Sequence, residues 1–220
     1  MIFETRSAAG RALVPALLKF QAKDPVVVAV PRGGVAVAAE IAIALAAPLD
    51  LIFVRKIGAP AQRELAMGAI VDGSAPIIVR NEDIIRVHGI GDNVFRACCE
   101  AERAEIDRRR AIYLGTRDRA SVAGKVAIVV DDGVATGATI RAALRAMRLR
   151  QPASLVFAVP VGPKETIAAL RQEADEVICA EIHERLGAVG LHYADFHQMN
   201  DAEVIELLER VARGSTPASG

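Results

Sequence analysis

Two carboxylates stand side by side at the end of an apolar run in Ala127-Ile128-Val129-Val130-Asp131-Asp132-Gly133-Val134-Ala135-Thr136-Gly137-Ala138-Thr139, and small residues carry the chain on into a helical pattern. Each residue type has a chemical use there. The turn Ala135, Thr136, Gly137, Ala138 and Thr139 lets backbone N–H groups converge on an anion, and the following helix adds the partial positive charge of its N-terminus. Asp131 and Asp132, delivered by a buried strand, are placed to accept hydrogen bonds from the vicinal hydroxyls of a sugar held by its phosphate. Ligands of parallel α/β sheets bind at this carboxyl edge. A Walker phosphate loop would need a Lys before Ser or Thr, and a dinucleotide fingerprint would need GxGxxG after the first strand; the chain has neither. Two acids that merely capped a helix would need neither the apolar run nor the small-residue turn.

The elements that must position this segment follow from the alternation of strand-like and helix-like stretches, which predicts an α/β fold around a central, mainly parallel sheet flanked by helices. Thr5 to Phe20 carries Leu13, Leu17 and Phe20 at helical spacing. Val26 to Val30 reads as a strand buried on both faces and ends at Pro31-Arg32-Gly33-Gly34. An Ala-rich helix from about Val35 to Ala46 stops at Pro48, and the strand Leu49 to Val54 runs directly into Arg55-Lys56. Asp72-Gly73-Ser74 signals a hairpin. From Arg80 to Ala120 the chain is mixed in charge and holds one long helix, about Asp92 to Tyr113, read as a surface helix or dimer contact. Strands at Val126 to Val130, Leu155 to Val159 and Glu176 to Cys179 then alternate with helices from Thr139 to Arg150 and Lys164 to Glu173. The expected organisation is a core over 1–180 with its excursion at about 80–120, a hood and last helix over 181–213, and a frayed tail over 214–220.

Segment 127–139 resembles the phosphoribosyl pyrophosphate (PRPP) binding motif of type I phosphoribosyltransferases. It departs at Gly133, where the general pattern has an aliphatic residue or Ser. The resemblance runs from about Val26 to Pro160, and the chain is similar to small bacterial members of unassigned acceptor. Pro31, Arg32, Gly33 and Gly34 fall where the family has its pyrophosphate loop, commonly with a non-proline cis peptide, here Pro31-Arg32; Arg55 and Lys56 fall at its second basic pair. The resemblance therefore implies that these six residues bind pyrophosphate. It likewise implies that Asp131, Asp132 and Ala135 to Thr139 bind ribose 5-phosphate, with Arg32, Lys56, Asp131 and Asp132 as the catalytic residues. It implies Mg²⁺ bound mainly through PRPP, with no firm protein ligand. The expected reaction is transfer of the phosphoribosyl group to a nitrogen of a small-molecule acceptor, a purine or related base, with release of pyrophosphate, by a homodimer. The segment between Gly58 and Met67, or the hairpin after it, is expected to close over the site.

The acceptor would meet a small C-terminal hood over Glu181 to Gln198, where Tyr193, Asp195 and Phe196 are the candidate base-binding residues. The hood is loosely similar to that of hypoxanthine-guanine enzymes, with three departures: Ala135 and Ala158 replace an acid and a Lys, and no aromatic precedes Val189-Gly190. A PRPP- or nucleotide-sensing regulatory protein without transfer activity is the alternative, and the retained cations Arg32, Arg55 and Lys56 favour transfer. His183, His192 and His197 match no standard metal spacing and read as scattered surface histidines.

Composition excludes other partners. In 220 residues, 27 basic and 27 acidic side chains cancel, and six Phe, two Tyr and no Trp leave little to stack single-stranded bases. No nucleic acid is expected. The longest apolar stretch, Val35 to Leu49, is too short to span a bilayer, so no membrane is expected either. Three cysteines without a CxxC pair and an N-terminus without a signal-peptide layout predict a cytoplasmic setting.

Overall fold

Five strands pair in parallel to make the central sheet, and the central ones present apolar side chains to both faces, which helices are available to cover. The structure, a computed structural model, describes residues 2–60, 62–72, 76–115 and 117–214. Helix α1 (Arg6–Leu17) leads through a 3-10 helix into β1 (Pro25–Ala29), α2 (Gly33–Leu45) and β2 (Leu49–Leu51). Next come β3 (Val54–Ala59), β4 (Gln62–Val71), β5 (Ile77–Arg80), α3 (Glu82–Val87) and α4 (Asp92–Leu114). The second half runs β6 (Val126–Val130), α5 (Ala138–Leu149), β7 (Ser154–Pro163), α6 (Lys164–Leu170), β8 (Glu176–His183) and α7 (Asp201–Gly214). The main sheet has strand order β2-β1-β6-β7-β8 and every pairing is parallel.

Alternation along each strand divides the interior in two. Val27, Ala29, Ile128, Val130, Val156 and Ala158 face one layer, with α1, α2 and α7. Val26, Val28, Ala127, Val129, Leu155 and Phe157 face the other, with α5 and α6. Helix α2, buried along most of its length, crosses α1 so closely that a Cβ on Gly10 would stand 2.5 Å from the Val37 carbonyl oxygen.

Several boundaries differ from the sequence reading, each for a tertiary reason. The strand expected to run from Leu49 into Arg55-Lys56 breaks at Ile52 and Phe53, and β3 joins β4 and β5 in a separate antiparallel sheet. Buried Asp72 holds the break in place: its carboxylate accepts from the Phe53 N–H at 2.9 Å and from Arg119, and its own N–H donates to the Phe53 carbonyl. The stretch expected as a closing loop between Gly58 and Met67 is largely strand, with irregular pairing at Gly58. The hairpin signal at Gly73-Ser74 and the tail beyond Gly214 lie outside the described residues. Helix α4, expected at the surface, instead buries Phe95, Cys99, Ile106 and Tyr113 in the main core, and Tyr113 stacks on Phe53. Strand β8 runs past Cys179 to His183 and so enters the hood. No described helix is long and apolar enough to cross a membrane.

The α1–α2 crossing makes a direct prediction. Gly10→Ala should lower unfolding stability by about 1–3 kcal/mol, because the added methyl meets backbone rather than a movable side chain. Chemical denaturation measures it; an unchanged midpoint would show that the two helices separate freely.

Candidate active site

Strands β1 and β6 are neighbours in register, so their carboxyl ends open side by side. Val30 extends the pairing by donating its N–H to the Val130 carbonyl at 2.9 Å. The chain then turns through the Pro31-Arg32 peptide, which is cis, into α2. A Cβ on Gly33 would lie 1.9 Å from Asp132 Oδ2, and one on Gly34 would lie 2.8 Å from the Val130 carbonyl oxygen. The turn therefore rests directly on the two carboxylates, and only glycine leaves room for them.

Asp131 Oδ1 accepts from the Asp132 N–H at 2.9 Å, and Asp132 Oδ2 accepts from Arg6 Nε at 2.6 Å. The Tyr193 hydroxyl donates to the Asp132 carbonyl at 2.5 Å. Burial first, and the charge of Asp132 second, push the Asp131 carboxyl well above the usual carboxylate range. Burial pushes the Tyr193 hydroxyl up as well. Beyond the pair, Gly137 adopts φ 75°, a conformation that favours glycine, and starts α5. Among the described residues no side chain caps that helix and no acid lies in its first turn, so its free N–H groups face the opening of the turn.

The expected cations do not all converge. Arg32 lies on the turn, with Nη1 3.8 Å from Asp201. Arg55 Nε instead donates to Glu102 of α4 at 2.6 Å, and Lys56, next along β3, projects to the opposite face of that strand. Neighbouring strand residues point oppositely, so Arg55 and Lys56 leave β3 on different sides.

The hood closes the other side. Val189 sits on Gly133, where a Cβ would come within 2.2 Å of Val189 Cγ1, and this explains why the aliphatic residue of the motif is missing here. Tyr193 is buried with Phe3 and Phe196 against its ring, so it contributes its hydroxyl rather than a free stacking face. Phe196 has Arg6 over its ring, the guanidinium carbon 3.9 Å from the centroid. Asp195 bonds the exposed His197, which also meets Glu203 at 2.7 Å; the two carboxylates hold the imidazole pKa up. Asp195, His197 and Glu203 line a cavity of about 330 Å³ together with Arg6, Met199 and Arg210. His183 and His192, read as scattered, pack ring against ring at 4.4 Å, and no described group of three or more His, Cys, Asp or Glu side chains forms a metal site.

Sequence reasoning missed Arg6 and Phe3. Arg6 carried a signal: it falls on the same helical stripe as Ala9, Gly10, Leu13 and Leu17, a charge where the pattern calls for an apolar residue. Phe3 and Glu4 bond the hood backbone at His192, Ala194 and Asp195, a pairing across the whole chain that no local pattern announces.

Comparison with known proteins shows the family. Residues 6–195 match the phosphoribosyl transferase domain family, and the chain belongs to that family. Provisionally named phosphoribosyl transferases from two strains of Mycobacterium tuberculosis are each 41% identical over 212 residues, covering 96% of this chain and 47% of their own length. The chain thus spans about half the length of these relatives. The crystal structure of the protein TT1426 from Thermus thermophilus superposes with a TM-score of 0.80 at 36% identity, covering 96% of this chain and 99% of that one.

Two outcomes are expected from this geometry. Gly133→Val should cost about 1–3 kcal/mol by driving the hood off the turn, and Val189→Ala in the same chain should recover at least half of it; additive losses in a double-mutant cycle would show that the contact does not couple them. Asp131→Asn tests the raised carboxyl. Between the ordinary carboxylate range and its raised value, the folded state keeps a proton that the unfolded state has released, so stability falls as pH rises through that window. The variant should melt at a higher temperature than wild type at pH 7 and lose the advantage below the ordinary range. A lower melting temperature at pH 7 would contradict the assignment.

Proposed function

We propose that the chain transfers the 5-phosphoribosyl group of PRPP to a nitrogen of a small heterocyclic acceptor, with release of pyrophosphate. The observation that carries this reading is the convergence at one sheet edge of the glycine turn with Arg32, the carboxylates Asp131 and Asp132, and the uncapped N-terminus of α5. PRPP has three matching parts. Its 5′-phosphate suits the free N–H groups of Ala135 to Thr139, its ribose hydroxyls suit the carboxylates, and its pyrophosphate suits the turn.

In this reading the C1′–O bond to pyrophosphate breaks with its electron pair leaving on oxygen, a C1′–N bond forms, and the nitrogen's proton passes to solvent. Arg32 neutralises charge developing on the leaving group, while the carboxylates face the positive charge spreading over the ribose ring. Lys56 is exposed on β3 and is the second candidate cation for the leaving group. Because Arg6 takes one oxygen of Asp132, the carboxylates fit a Mg²⁺ ion carried by the oxygens of PRPP better than one in a protein cage. When bound, that ion would supply neutralisation of the departing charge. For the acceptor, Asp195 borders the cavity at the hood, and Phe196 contributes through Arg6, which covers its ring.

The test is pyrophosphate release from PRPP and Mg²⁺ with adenine, hypoxanthine, guanine, xanthine, uracil and simple amines, beside PRPP titration calorimetry. Turnover with one acceptor is expected, and Asp131→Asn with Asp132→Asn should weaken PRPP binding at least tenfold, about 1.4 kcal/mol. Clear PRPP binding without turnover on any acceptor would replace transfer by the sensing role. Unchanged affinity in the double variant would remove the carboxylates from the ribose.

A further inference from the structure

Neither the fold nor the ribose-phosphate reading accounts for Arg6 by itself. Its side chain is 9% exposed, on the buried stripe of α1. A guanidinium in that position is costly to desolvate unless its donors are met, and its partners come from two other parts of the chain. Nε donates to Asp132 Oδ2 at 2.6 Å, Nη1 donates to the His197 carbonyl at 2.9 Å, and the guanidinium carbon lies 3.9 Å over Phe196. Phe196 stacks on Tyr193, and the Tyr193 hydroxyl returns to the Asp132 carbonyl. The contacts form a closed ring that enters Asp132 through its side chain and leaves it through its backbone. The planar fork of Arg suits this arrangement, because one rigid group donates in plane and stacks on its face.

We propose that Arg6 is a positioning residue for phosphoribosyl transfer, one that fixes Asp132 and the hood in a single geometry so that sugar and acceptor are presented to each other instead of being bound independently. The inference rests on the PRPP reading above. With one oxygen of Asp132 committed to Arg6, a ribose hydroxyl meets the other, and any displacement of the sugar carboxylate is passed to Phe196 and to His197 at the cavity wall. Among the described residues Arg6 is also the cation in direct contact with the carboxylate pair. The groups facing Asp131 are Asp132 from the same strand end, Arg6 from α1, Tyr193 from the hood and the Gly34 backbone from α2. Removing Arg6 leaves Asp131 facing an uncompensated neighbour.

The experiment needs no acceptor. PRPP with Mg²⁺ is titrated into wild type, Arg6→Lys and Arg6→Gln across pH 5 to 8, and hydrogen exchange of residues 188–198 is followed with and without PRPP; thermal unfolding reports folding. In wild type, PRPP should slow exchange in that segment. Arg6→Gln should bind PRPP at least tenfold more weakly, with the acid limb of binding moved to higher pH, and PRPP should no longer protect the hood. Arg6→Lys should recover most of the affinity and the pH limb, because it restores the charge, but little of the protection, because an ammonium cannot also stack on Phe196. Tighter binding by Arg6→Gln would overturn the proposal and make Arg6 a competitor for Asp132. If Arg6→Gln does not fold, Arg6→Lys decides, and wild-type hood protection in that variant would overturn the proposal. Failure of wild type to bind PRPP would overturn the functional reading together with this one, whereas wild-type binding matched by both variants would overturn this one alone.

Discussion

The close approach of two strand ends governs the rest of this molecule. Because β1 and β6 pair in parallel, the turn after one lies on the residues after the other, and Gly33 and Gly34 leave just enough space for the carboxylates of Asp131 and Asp132. A side chain at either glycine would push the turn away from the sheet edge, and the cationic and anionic halves of the site would separate. The apolar strands thus do more than build a core. Their register sets which polar groups meet.

Charge at that edge is balanced locally, not by the neutrality of the whole chain. Burial is the larger cost to the Asp131 carboxylate and the adjacent charge of Asp132 adds to it, which Asp131 registers as a raised pKa. Arg6 offsets part of this from α1, and the Tyr193 hydroxyl ties the backbone of Asp132 to the hood. The N-terminus is thereby part of the site, since Phe3, Glu4 and Arg6 all bond to the segment from His192 to His197. The hood is clamped between the start of the chain and the sheet edge.

The parallel sheet was legible because its central strands are written as apolar runs, and Val126 to Val130 stands in the structure with the same limits. The segment that follows was legible because its side chains act through their immediate neighbours: small residues, a turn and a helix start are all local. The second sheet was less so, because β3 and β4 carry Gly and charge, with Pro60 between them, where isolated patterns suggest a loop, and their strand character comes from pairing with each other. The place of α4 was hidden for a related reason. Its charged faces dominate the sequence, whereas Phe95, Cys99, Ile106 and Tyr113 find a core only when β3 and Phe53 are present.

The sequence by itself determined the α/β class, the order of strands and helices along most of the chain, and the carboxylate pair and small-residue turn at the end of β6, because each depends on residues close together in the chain. Only the tertiary structure decided that Arg55 turns to Glu102 and away from Lys56, that Tyr193 lends a hydroxyl instead of a ring face, and that Arg6 joins Asp132 to the hood. Those choices depend on contacts between residues as many as 191 positions apart. Local propensity has no access to such distances; packing and the need to partner every buried charge resolve them.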